Sequence, residues 1–86
     1  MKYQKNPIVV EAVRYDGTNA EMVEQFVGHA LMMSRRGGEK HFTLKLSTPE
    51  GVMDVQPGDW VIKGVIGEFY PCKATVFAAT YSAIES

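Results

Sequence analysis

The hydrophobic period of this chain changes once, and that change limits the folds open to it. Met22, Val23, Phe26 and Val27 recur at helical spacing, with Gly28 as a stop. Further on the period is two: Phe42, Leu44 and Leu46 alternate with Thr43, Lys45 and Ser47, the pattern of a half-buried strand. Thr18 followed by Glu21 predicts a capping box that opens the helix. A helix of roughly ten residues is marginal in isolation, so its apolar stripe must lie on a sheet.

The remaining segments supply that sheet. Ile8 to Tyr15 is rich in β-branched residues on both alternating sets, which predicts a strand covered on both faces, ended by Asp16-Gly17. Ala30 to Met33 reads as a short strand, with Gly37-Gly38 as a turn. Thr48-Pro49-Glu50-Gly51 turns the alternating strand back into Val52–Gln56, with Met53 and Val55 on its core side. Gln56-Pro57-Gly58-Asp59 has the glycine that a type II turn needs at its third position. Trp60 to Lys63 and Glu68 to Cys72 read as two more strands, joined through Gly64-Val65-Ile66-Gly67. Thr75 to Ala79 is expected to close one helical turn, and Tyr81 to Glu85 to add an edge strand. The expectation is one α+β domain over residues 1–86: a mainly antiparallel β-sheet of five to seven strands with one short helix packed on it. Its core should gather Met22, Phe26, Val27, Phe42, Leu44, Leu46, Met53, Val55, Trp60 and Ile62.

Composition narrows the function. An apolar share of 45% beside 22% charged residues excludes simple disorder. A net charge of −1 argues against a non-specific DNA or RNA binder, which needs a cationic surplus to displace counterions. Apolar runs stay far below the ~20 residues of a membrane span, and Met1-Lys2-Tyr3-Gln4-Lys5 lacks the apolar stretch of a secretion signal. A single cysteine, Cys72, forms no internal disulfide, so the expected setting is the reducing cytoplasm. Five methionines, a glycine-rich hairpin and a terminal edge strand predict a homo-oligomer.

The second half carries a recognisable pattern: Pro57-Gly58-Asp59-Trp60-Val61-Ile62-Lys63-Gly64, then Gly67-Glu68-Phe69-Tyr70-Pro71-Cys72-Lys73, then Phe77 and Thr80-Tyr81. It resembles a family of small phage and prophage proteins with a PGD-aromatic turn and a following G-E-x-Y-P…F…T-Y signature. Glu11-Ala12-Val13-Arg14-Tyr15-Asp16-Gly17 is similar to that family's opening strand and turn. The resemblance implies context rather than chemistry: a phage product acting in the cytoplasm of an infected bacterial host cell.

Each candidate residue has two readings. Trp60 is either a stacking platform for a planar ligand or core, with Asp59 capping the preceding turn; the composition of the turn favours core. Gly64 and Gly67 permit a close backbone approach by a ligand, a second subunit or merely a neighbouring strand. Glu68 and Tyr70 on one strand face form either a polar recognition pair or an ordinary hydrogen bond. Arg14, Arg35 and Arg36 carry the planar fork suited to phosphate, though surface arginines are usually only solvated. His29, His41 and Cys72 are too scattered for a metal site, and Cys72 on an apolar strand reads as inert packing. No catalytic set, metal or cofactor is expected.

Two main functions therefore compete. One is a phage-encoded non-catalytic binding protein that counters host defence by sequestering a nucleotide-derived signal, with Trp60, Tyr70, Glu68, Arg14, Arg35 and Arg36 as ligand-binding residues. The other is a protein–protein interaction module docking on a host or virion protein. A small hydrolase or transferase is a weaker third. A ligand site requires a concave, cationic pocket, whereas an interaction module requires an exposed apolar patch or an open sheet edge.

Overall fold

A strand lasts only as long as its partner, and that rule shortens the first element. In the computed structural model, which describes residues 1–2, 8–35, 37–38 and 40–84, β1 spans Glu11–Arg14 rather than Ile8–Tyr15. Among the described residues its one strand partner is β5 (Trp60–Lys63), antiparallel, from Glu11 opposite Lys63 to Arg14 opposite Trp60. Beyond Glu11 that partner ends, and Val9 stands 75% exposed.

The capping box does not form. Asp16 captures Thr18 instead, accepting its N–H at 2.7 Å and its hydroxyl at 2.6 Å, a local turn that competes with helix capping. Helix α1 therefore starts later, at Ala20, and runs to Val27. Ala20, Val23 and Val27 are buried, Phe26 is half-buried, and Met22 is 56% exposed, so the buried stripe excludes Met22. Gly28 ends the helix at φ 76°, a conformation disfavoured for any residue with a Cβ. A 3-10 turn, Gly28–Ala30, leads into β2 (Leu31–Ser34).

Strand β2 pairs with β3 (Thr43–Thr48), which pairs with β4 (Gly51–Val55), all antiparallel. The second sheet has the order β1-β5-β6, with β6 at Phe69–Cys72. The fold is thus α+β, and the described residues form six strands in two three-stranded antiparallel sheets and two helices. The second helix, α2, spans Ala74–Thr80, longer than the single turn expected there. Residues 81–84 form no strand, because Tyr81 closes α2 with its N–H on the Phe77 carbonyl and lays its ring on Phe77; Glu85 lies outside the described residues.

The core lies between the sheets and α1, where Tyr15, Val23, Leu44, Leu46 and Val61 are fully buried. Register explains the departures from the expected core. In β5, Val61 faces this core, while Trp60 and Ile62 point to the opposite side of the sheet along with Ala12 and Tyr70. Ile62 is fully buried there, and Trp60 is half-buried against α2. Met53, on edge strand β4, is 40% exposed. Full burial of five apolar side chains is each worth about 1.5–3 kcal/mol, and that is what holds two small sheets together.

Candidate functional site

Two concavities each hold one candidate residue, Arg35 in one and Trp60 in the other. The first is a polar cleft built by the loop that joins β1 to α1. Tyr15 anchors this loop: its ring is in the core, and its hydroxyl donates to the Phe42 carbonyl at 2.8 Å. Burial and the neighbouring Asp16 charge raise the Tyr15 pKa, so the phenol keeps its proton and its role as donor. Thr18's hydroxyl and N–H hold the Asp16 carboxyl below the ordinary carboxylate range. Asn19 is committed within the loop, accepting from the Asp16 N–H at 2.9 Å and donating to the Arg14 carbonyl at 2.7 Å. No side chain is left to cap the first turn of α1.

Segment 40–42 closes the other wall. The His41 Nδ1 lies 2.7 Å from the Gly17 carbonyl; a carbonyl only accepts, so Nδ1 carries the proton and donates. Gly17 is required here twice over: its φ is 93°, and a Cβ would sit 3.1 Å from that imidazole nitrogen. Arg35 stands over the Phe42 ring, 5.1 Å from its centroid, a cation–π contact that positions the guanidinium. The cleft so formed measures about 610 Å³ and is lined by Arg35, Lys40, His41, Phe42 and the start of α1. Among the described residues Glu21 is its one acidic lining residue. Among the described residues neither Arg35 nor Lys40 forms a salt bridge.

The second concavity is an apolar groove on the outer face of the β1-β5-β6 sheet, about 310 Å³ in volume. Trp60 and Phe77 stack at 4.0 Å between centroids and 6° between planes, and Phe77 stacks in turn on Tyr81 at 5.0 Å. Tyr70 and Tyr81 share a hydrogen bond at 3.4 Å. That bond, with burial and nearby charge, pushes the Tyr70 phenol up to about 12. Residues 8–10 and 82–84 line the groove, and among the described residues no charged side chain does.

The structure therefore separates the expected ligand-binding residues. Trp60 and Tyr70 lie on the aromatic face, each engaged by a neighbouring ring or hydroxyl. Glu68 folds back over Gly64, where a Cβ would overlap the Glu68 carboxylate, so the close approach expected at this glycine is made by the chain itself. Arg14 is opposite Trp60 in register, with its Nε 3.4 Å from the Gly58 carbonyl. Only Arg35 reaches the polar cleft, and Arg36 lies outside the described residues.

The turn before β5 forms as expected. Its Asp59 N–H bonds to the Gln56 carbonyl at 2.9 Å, with Gly58 at φ 98°. Asp59, 5% exposed, accepts the Gln56 N–H at 2.9 Å and pairs with Lys73 at 3.2 Å. Burial, with Asp59 adding to it, raises the Cys72 pKa and keeps it a thiol at neutral pH, unsuited to attack.

Sequence reasoning passed over Tyr15 and Lys40, and weighed His41 only as a metal ligand. A buried tyrosine must place its hydroxyl, and an aromatic residue directly before an Asp-Gly turn was the available signal for Tyr15. His41 offered none, because its partner is a backbone carbonyl 24 residues away. Among the described residues no helix is long and apolar enough to cross a membrane. Comparison of the chain with protein-family models, with curated proteins and with solved structures gave no match.

Proposed function

We propose that this protein is a non-catalytic binding module that holds a small phosphate-bearing, nucleotide-like ligand in the polar cleft. One observation carries the reading: two cations without a carboxylate partner among the described residues, Arg35 and Lys40, line the same hollow as the uncapped first turn of α1. Backbone N–H groups at a helix start and a guanidinium are complementary to phosphate oxygens in both charge and direction. A hollow of about 610 Å³ is in the size range of small-molecule sites. Among the described lining residues two cations stand against Glu21, while the Asp16 carboxylate is directed at Thr18.

Among the described residues the ligand meets no activated nucleophile in this cleft, and on this reading it leaves unchanged. The resemblance of the second half to small phage proteins suggests a purpose: withholding a nucleotide-derived signal in the cytoplasm of an infected cell. Calorimetry with inorganic phosphate and with mono-, di- and cyclic nucleotides tests the reading. At least one should bind, Arg35→Ala should weaken it by about tenfold or more, and chromatography should recover it intact. No heat from any of them would shift the function to a protein partner, and an altered ligand would revive catalysis.

A further inference from the structure

The apolar groove borders a sheet edge that is open among the described residues, and that edge specifies its occupant. The Tyr15 N–H bonds to the Asp59 carbonyl, and the Gly58 N–H bonds to the Tyr15 carbonyl, so Tyr15 directs both its backbone groups toward β5. Strand alternation then directs those of Ala12 and Arg14 away from it. The outward Arg14 carbonyl accepts the Asn19 side chain, which closes the edge at that end. The Ala12 N–H and carbonyl and the Arg14 N–H have no protein partner among the described residues. Ahead of them Ile8 and Val9 are exposed and apolar, and Val9 lacks the charge with which natural edges deter pairing.

We propose that this edge takes an extended peptide as an added strand, with alternate apolar side chains entering the groove over Trp60 and Phe77 and an acidic residue meeting Arg14. Only another backbone matches the alternating donors and acceptors of a strand edge. The uncharged walls of residues 8–10 and 82–84 suit aliphatic side chains. Arg14 lies on the same sheet face as Ala12 and Trp60, is exposed, feels Asp16 only at a distance, and among the described residues forms no salt bridge, so its guanidinium can meet a carboxylate on the peptide. This site is separate from the polar cleft and stands whether or not a nucleotide binds there.

The test uses short blocked peptides of alternating valine and threonine, with one aspartate at either end, titrated into the intact protein by fluorescence anisotropy. One orientation should bind saturably. N-methylation of the peptide amides that face the edge should weaken binding by roughly fivefold per bond lost, while methylation of the alternate amides should leave it unchanged. Arg14→Glu should reduce affinity for the aspartate peptide by about threefold and favour its lysine counterpart. Ala12→Pro removes one outward donor without breaking a β1–β5 bond, and should abolish the methylation pattern. Absence of saturable binding, or binding indifferent to methylation, would overturn the proposal. So would a dimer of the free protein that Ala12→Pro dissolves while no peptide binds, because the edge would then belong to a second copy.

Discussion

The two concavities differ in how their chemistry is already engaged. In the aromatic groove Trp60, Phe77 and Tyr81 are satisfied by one another through stacking, and Tyr81 shares a hydrogen bond with Tyr70. In the polar cleft the structural groups are satisfied, but among the described residues Arg35, Lys40 and the first turn of α1 have no such partner. An aromatic cluster seen in sequence is therefore a poor guide to a small-ligand site unless its faces are free. A cation without a partner, held in place by a ring, is the stronger indication.

The largest effect that tests this contrast lies in the anchor of the polar cleft. Tyr15→Ala should destabilise the protein by about 3–5 kcal/mol, since it empties a core position, whereas Tyr15→Phe should cost about 1 kcal/mol by removing only the bond to Phe42. Equilibrium denaturation measures both. Phosphate affinity in Tyr15→Phe should fall as well, because segment 40–42 loses its tether. Equal stability losses in the two variants would show that the hydroxyl rather than the ring is the anchor.

Next in size is the aromatic stack. A double-mutant cycle of Trp60→Leu and Phe77→Leu should give a coupling of about 0.5–1.5 kcal/mol beyond lost area. Neither change should alter ligand affinity in the polar cleft. If Trp60→Leu weakened nucleotide binding, the division between the two sites would be wrong.

The smallest effect is one of pH. The Tyr70 phenol is raised to about 12 by its bond to Tyr81, burial and neighbouring charge, so its folded value lies above that of the unfolded chain. The stability it contributes is full below the unfolded value near 10 and is lost as pH rises toward 12. Alkaline unfolding should show that decline, and Tyr70→Phe should flatten it. Ultraviolet titration of Tyr81→Phe should show Tyr70 ionising earlier; an unchanged titration would remove the hydrogen bond as the main cause.

Much of the fold was legible because local patterns decide it. The alternation around Leu44 and Leu46 gives a strand with those two residues fully buried, Gly28 stops α1, and Gln56-Pro57-Gly58-Asp59 turns as its composition requires. What alternation cannot convey is which strand lies next to which, so the division into two sheets was not legible. Trp60 and Ile62 were assigned to the right strand and the wrong side, because nothing local shows that α2 covers the outer face of β5. The capping box failed for a local reason that was on view: Asp16, two residues before Thr18, is a better partner for its hydroxyl than the helix. Of the candidate site, Arg35 was found by its chemistry. Lys40 and His41 were not, because the cleft exists only once residues 16–19 and 40–42 are brought together.

The central claim is that phosphate is bound at the polar cleft and not on the aromatic face. Amide chemical-shift mapping by NMR during a titration with inorganic pyrophosphate tests it most directly. The account predicts saturable shifts for Gly17 to Met22, Arg35 and Lys40 to Phe42, with Ala12, Trp60, Phe77 and Tyr81 unmoved. Shifts centred on Trp60 and Phe77, or none anywhere at saturating pyrophosphate, would contradict it.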